Sequence, residues 1–243
     1  MQQVYFEDLG QMEYKAAWDY QEQLLRANVE AKSSIVNRQS SDVNGGQGGA
    51  DSRLTTHHLL FVEHPPVYTL GKSGKMEHIL ITEEERQAKG VAFFYTNRGG
   101  DITFHGPQQL VGYPILDLDK FYTDIGRYLR NLEEVMILTM AAYGLKGERS
   151  AGETGVWLDP GVKGKERKIG AIGVRCSRWV TMHGFAFNIN TDLAYFNYII
   201  PCGIQNKQVT SLSKELNRNV SFTEAQEKVK KNFEKVFDAE LVF

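Results

Sequence analysis

Apolar side chains fall at Tyr14, Ala17, Trp18, Leu24 and Leu25, and this 3.6-residue spacing predicts an amphipathic helix over residues 12–30. A polar stretch follows from Ser33 to Thr56, with Asn44-Gly45-Gly46-Gln47-Gly48-Gly49 at its centre. Such a composition buries little apolar area, so it predicts a flexible insertion at 33–56 rather than a core element. Only one short helix precedes it, which argues against a linker between domains. Leu59-Leu60-Phe61-Val62 predicts a buried strand that Pro65 and Pro66 interrupt, and Val67 to Leu70 resumes the extended chain. Val91 to Tyr95 and Ile102 to Phe104 read as strands on either side of a turn at Gly99-Gly100. Asp124 can cap a helix whose apolar face is Ile125, Leu129, Leu132, Met136 and Thr139.

Val156 to Ile189 is rich in strand-forming residues, with a basic hairpin from Gly161 to Arg167. A last helix opens on a capping box, Thr223 to Gln226, and sets Ala225, Val229, Phe233 and Val236 on one face. The order α, β-rich, α, β-rich, α, without an internal repeat, predicts an α/β or α+β domain. At 243 residues and 42% hydrophobic content, one core over residues 1–243 is large enough to need no staples.

A net charge of −2 provides no global field for nucleic acid or an anionic membrane. The opening Met1 to Gly10 has neither a basic patch nor an apolar core, so no secretory signal is expected. No apolar run approaches the ~20 residues that span a bilayer. Two cysteines, Cys176 and Cys202, stand 26 positions apart, which excludes a Cys-x-x-Cys site and fits a reducing cytoplasm. His57, His58, His64 and His78 lack metal-ligand spacing, and no glycine-rich nucleotide motif appears, so neither a metal nor a cofactor is expected.

Candidate chemistry concentrates in a few segments. Arg98-Gly99-Gly100-Asp101-Ile102-Thr103-Phe104-His105 joins a tight turn to Arg98 and His105 at its two ends, which can face one cleft, although the same residues also make an ordinary β-turn with surface charge. Pro201-Cys202-Gly203 holds a thiol in a loop, while free cysteines more often serve as small core hydrophobes. Cys176, after the strand Ile169 to Val174, has the weaker claim. Lys168 begins an otherwise apolar, glycine-rich strand, where partial desolvation would favour its neutral, proton-accepting form; alternatively it is the solvated end of the basic hairpin. His183 reads as a core histidine or a structural hydrogen-bonding group.

Taken together, these segments resemble the lipoyl(octanoyl) transferases. The resemblance is carried by Glu63 to Gly71, Arg98 to Pro107, Tyr113-Pro114-Ile115, Gly155-Val156-Trp157, Lys168 to Val174 and Thr181 to Gly184. It continues through Pro201-Cys202-Gly203-Ile204 and Val209 to Leu212. It implies a biotin/lipoyl protein ligase-like mixed sheet flanked by helices, and a dyad of Cys202 as nucleophile with Lys168 as proton partner. It further implies substrate contacts from Arg98 to His105, from Ala171-Ile172-Gly173 and from Gly184-Phe185-Ala186. The implied reaction moves an octanoyl group from octanoyl-acyl-carrier protein to a lysine of apo lipoyl domains of 2-oxoacid dehydrogenases or the glycine-cleavage H protein. The donor thioester is already activated, so no ATP enters, and a monomer is expected.

Two departures from the family pattern stand out: Gln108 replaces an expected glycine after His105-Gly106-Pro107, and the 33–56 insertion is long. Three other readings remain: an ATP-dependent lipoate– or biotin–protein ligase using Lys168 without a cysteine, a non-catalytic module binding acylated carrier proteins, and a cysteine hydrolase with His105 or His183 as base.

Overall fold

The computed structural model describes residues 1–41, 55–200 and 208–243. A strand β1 (Gln2–Gln11) opens the chain, followed by helix α1 (Tyr14–Ser41). Strands β2 (His58–Glu63) and β3 (Val67–Leu70), helix α2 (Glu83–Ala88), and strands β4 (Ala92–Tyr95), β5 (Ile102–His105) and β6 (Gln109–Ile115) come next. Helix α3 (Ile125–Ala141) leads to β7 (Glu148–Ser150), β8 (Glu153–Leu158), β9 (Arg167–Ser177) and β10 (Val180–Asn188). The chain ends with β11 (Gln208–Val209), α4 (Leu212–Leu216), α5 (Phe222–Phe237) and β12 (Ala239–Val242).

The large sheet runs β12-β1-β2-β6-β10-β9-β8-β7, with β11 added beside β9. It is mixed: β1 pairs in parallel with β2 and β12, whereas β2-β6-β10-β9-β8 is antiparallel. Alternation within β2 shows why its sequence is uniformly apolar. Leu59 and Phe61 enter the core beneath α3 and α5, while Leu60 and Val62 face α1. A strand covered on both faces needs apolar residues at every position. A second sheet, β4-β3-β5, surrounds its own cluster of Tyr68, Leu70, Val91, Ile102, Phe104 and Ile199.

The mixed α/β architecture matches the expectation, and several boundaries differ. β1 was not foreseen, because its alternation is half polar and only every other residue finds cover. α1 continues to Ser41, nine residues into the stretch read as a loop at 33–56, so its first part is helical. The remainder, 42–54, lies outside the described residues. The helix α5 is capped by Ser221, whose side chain accepts from the Glu224 N–H, so the cap lies two positions before the expected Thr223. Ile125 is exposed, whereas Leu132, Met136 and Thr139 lie on the buried face of α3 as expected, joined there by Tyr128, Val135 and Met140. Asp124 caps that helix as expected, accepting from the Arg127 N–H.

Candidate active site

A cavity of about 480 Å³ opens against the middle of the large sheet. Strands β6, β9 and β10 provide one wall, β5 and the Arg98 turn another, and Tyr14 of α1 closes an end. Close backbone approach builds this shape. Gly99 donates its N–H to the Val174 carbonyl at 2.9 Å, which docks the turn onto β9. A Cβ on Gly173 would lie 2.9 Å from the Gly99 oxygen, and one on Gly184 would lie 2.1 Å from the Gly112 oxygen. Glycine at these two positions is therefore a packing requirement.

The Arg98 guanidinium is 7% exposed and donates to the Thr69 carbonyl at 2.5 Å, to the Thr69 hydroxyl at 2.8 Å and to the Gly99 carbonyl at 3.0 Å. Those bonds hold its cationic head at the cavity wall. His105, also 7% exposed, continues the chain inward: its Nδ1 lies 2.8 Å from Gln109 Oε1, and Nε2 lies 3.5 Å from the Thr69 hydroxyl. The Gln109 amide nitrogen donates to the Phe104 carbonyl and to Asn188 Oδ1, and Asn188 donates to the Thr210 carbonyl. With Gln109 Oε1 facing Nδ1, the His105 proton sits on Nδ1 and Nε2 is the acceptor; the hydrogen-bond network dictates this tautomer.

Burial keeps these imidazoles uncharged. Desolvation, helped by His64, holds His105 well below the ordinary histidine range. His64 is lowered to about 4 by burial; its ring lies 2.7 Å from the Met12 carbonyl and 2.7 Å from the Tyr113 hydroxyl. His183 is lowered to about 3, by desolvation first and then by Arg98 and Arg175. Its Nε2 meets Asn97 Oδ1 at 2.7 Å and its backbone N–H donates to Gln21 of α1, matching the structural role expected for it. A hydrolytic base at His105 or His183 would have to work as a strongly desolvated, neutral imidazole.

Lys168 lines the cavity from the start of β9. Its strand is held from both sides: Trp157 of β8 and Val209 of β11 are its cross-strand partners, and the Thr210 N–H donates to the Lys168 carbonyl at 2.9 Å. The ladder with β8 is irregular here. Val156 lies opposite Gly170 but Trp157 lies opposite Lys168, so Ile169 is an extra residue on β9. Bulges of this kind re-aim neighbouring side chains. The Lys168 Nζ lies 4.7 Å from the centre of the Trp157 ring. Gly155, at φ 123°, leaves room beside it: a Cβ there would lie 3.1 Å from Lys168 Cε. Cys202, the expected nucleophile, falls in 201–207, outside the described residues; Cys176 is exposed on β9 itself, rather than after it.

Of the residues expected to contact substrate, Arg98, Gly100, Asp101, Ile102, Thr103, His105, Ala171, Ile172, Gly173, Gly184, Phe185 and Ala186 line the cavity. Gly99 and Phe104 do not. Gly99 serves the turn's docking, and Phe104 stacks on Tyr195 at 4.6 Å within the small sheet's core. Sequence reasoning missed Tyr14, Gln109, Tyr113, Glu153 and Asn188, all of which line the cavity. Gln109 and Asn188 carried a signal: each is a polar residue within a run that burial otherwise reserves for apolar side chains. Among the described residues no cluster could hold a metal ion, and no helix is long and apolar enough to cross a membrane.

Residues 13–234 match the model of the lipoyl protein ligase A/B catalytic domain. An octanoyltransferase of Christiangramia forsetii is 55% identical over 242 residues, covering 99% of this chain and 98% of its own. One from Flavobacterium johnsoniae is 54% identical over 241 residues, 98% of each chain. Among solved structures, a lipoate protein ligase from Thermoplasma acidophilum is similar with a TM-score of 0.67 at 15% identity, over 100% of this chain and 86% of that one. Lipoate-protein ligase A bound with ATP gives 0.66 at 13% identity, over 99% and 87%; at such identities the likeness concerns the fold. The chain belongs to the lipoyl protein ligase A/B catalytic domain family. The curated relatives that match it over nearly its whole length are that family's octanoyltransferases.

Proposed function

We infer that the protein is an acyltransferase of the lipoyl(octanoyl) transferase type, which moves an octanoyl group in the course of protein lipoylation. The donor is octanoyl-acyl-carrier protein and the acceptor a lysine of an apo lipoyl domain, such as those of 2-oxoacid dehydrogenases or the glycine-cleavage H protein. The enzyme acts in the cytoplasm as a monomer without a cofactor. The observation that carries this reading is the cavity with Lys168 at its wall, in a chain 55% identical to an octanoyltransferase along 99% of its length.

Chemistry proceeds in two displacements. The Cys202 thiolate, its proton passed to Lys168, attacks the donor carbonyl; the carbon–sulfur bond to the carrier breaks and the carrier thiol leaves with a proton. The acceptor amine then attacks the enzyme thioester, an amide forms, Cys202 departs as thiolate and Lys168 takes the surplus amine proton. An unperturbed thiol has a pKa of about 8.5, so an adjacent ammonium is needed to populate the thiolate near neutral pH. Ala171, Ile172, Phe185 and Ala186 offer the acyl chain an apolar wall. Each methylene buried there contributes about 0.8 kcal/mol, so a chain two carbons shorter binds roughly tenfold more weakly.

The test is incubation with octanoyl-carrier protein and an apo lipoyl domain in the absence of ATP, followed by intact masses of all three proteins. Octanoylated acceptor and a hydroxylamine-labile adduct on the enzyme are expected. Transfer that requires ATP would identify a ligase instead, and full activity in Cys202→Ala would remove the thioester.

A further inference from the structure

Lys168 is pinned by more than its own strand. Trp157 stands directly across from it on β8, 2% exposed, and its ring faces the Lys168 Nζ at 4.7 Å. The extra residue Ile169 turns Lys168 toward that ring, and Gly155 leaves the side chain its space. Gly155 is itself fixed, because its N–H donates at 2.9 Å to the fully buried Glu133, which Arg130 and Arg149 neutralise at 2.8 and 2.9 Å. A packing role alone would need an apolar side chain at 157; it would not need a π face presented to an amine. An aromatic face attracts an ammonium and not a neutral amine, since the ring quadrupole acts on charge.

We propose that Trp157 is a positioning residue of the reaction, whose indole face holds the Lys168 Nζ in place beside the acyl-transfer cavity. The inference rests on the reading above, in which Lys168 carries the proton that Cys202 and the acceptor amine give up. The ring's attraction for charge keeps Nζ in place while Lys168 carries a proton, and Lys168 gives that proton to the departing carrier thiol before it takes one from the acceptor amine.

Size and charge recognition separate in three replacements. Trp157→Phe keeps a π face, Trp157→Met keeps apolar bulk without one, and ring-fluorinated tryptophan placed at 157 keeps the indole's shape with its quadrupole weakened. Rates of octanoyl transfer to an apo lipoyl domain are measured against pH. In Trp157→Met and the fluorinated protein, the alkaline limb of the profile is expected to move downward by about one unit, and kcat on that limb to fall up to about tenfold. KM for octanoyl-carrier protein should stay constant, and Trp157→Phe should track the wild type. An unshifted profile in the fluorinated protein, which packs as the original does, overturns the proposal, as does an equal shift in Phe and Met. Lys168→Met separates the two levels. If it transfers at the wild-type rate, the role of Lys168 itself is wrong. If it is inactive while the fluorinated protein is normal, only the part given to Trp157 falls.

Discussion

Gln108 shows how a single residue records a local constraint. It sits at φ 61°, the left-handed region where glycine was expected from the family pattern. Its carbonyl accepts from the Asn190 N–H and the Thr191 hydroxyl, its N–H donates to Glu63, and its side-chain oxygen accepts from Asn190. Left-handed backbone costs a residue with a Cβ about 1–2 kcal/mol, and these bonds offset it. Gln108→Gly removes the strain, loses one side-chain bond and frees the unfolded chain by about 0.5–1 kcal/mol. The expected net change is within about 1 kcal/mol, whereas Gln108→Val, stiff at χ1, should cost about 2 kcal/mol or more; urea unfolding of both variants checks the order. At Lys168 the informative substitution is charge-conserving. Lys168→Arg keeps a cation, so iodoacetamide alkylation of Cys202 should persist, but arginine cannot take the acceptor amine's proton and octanoyl transfer should fail. Lys168→Met should lose both, with alkylation displaced to higher pH.

Elements built on one-sided periodicity were legible in the sequence, and those built on tertiary cover were not. The apolar faces of α1 and α5 and the buried run of β2 announce themselves because burial repeats at a fixed period. β1 is an interior strand of the sheet whose residues alternate between cover and solvent, so nothing in Gln2 to Gln11 is uniformly apolar. Beyond the residues read as helical, α1 makes contacts that only the fold supplies: Lys32 bonds Asp117 and Asp119 at 2.5 and 2.6 Å. Site residues in the glycine-rich turn could be read from chain chemistry, but the Gln109–Asn188 bridge joins β6 to β10 across 79 positions, and the polar residue at each end does not say which partner it meets. The same element-scale view limits the insertion. Asn28 and Thr56 exchange two hydrogen bonds of 2.7 and 2.8 Å, which close the segment at its base independently of what lies between. Replacing residues 42–54 with a short glycine–serine linker should therefore leave the single-turnover transfer rate within a few-fold. Cutting back to Ser33 should lower the melting temperature, because it removes the end of α1.

At the scale of the whole molecule, buried neutral histidines couple stability to pH. His57 and His64 are lowered to about 4, His183 to about 3 and His105 well below its ordinary value, in each case chiefly by desolvation. A folded-state pKa below the unfolded value of about 6.5 means that unfolding takes up protons; the stabilisation is intact above pH 6.5 and is lost as pH falls toward 4. Stability should thus decline between pH 6.5 and 4.5 with an uptake approaching roughly three to four protons, and His64 alone contributes about 3 kcal/mol at neutral pH. A flat urea midpoint across that window would show that these rings carry protons in the fold.

The charge available to the proposed carrier and lipoyl-domain partners is likewise a property of the assembled surface. Five basic residues, Lys163, Lys165, Arg167, Arg175 and Arg178, cluster along the sequence, but the fold commits two of them. Arg167 pairs with Glu215 at 2.7 Å and with Asp159 at 2.5 Å, and Arg175 pairs with Glu22 at 2.6 Å. Lys163, Lys165 and Arg178 remain exposed, so they are the residues at which steering of the proposed partners is tested. Lys163→Glu with Lys165→Glu should lower the second-order rate of transfer several-fold at low salt. The deficit should shrink as ionic strength rises past 0.1 M, where the Debye length is about 10 Å, while the single-turnover rate at saturating partner stays unchanged. An equal deficit at every salt concentration would place these lysines in a short-range contact, and no deficit would leave the hairpin an ordinary solvated face.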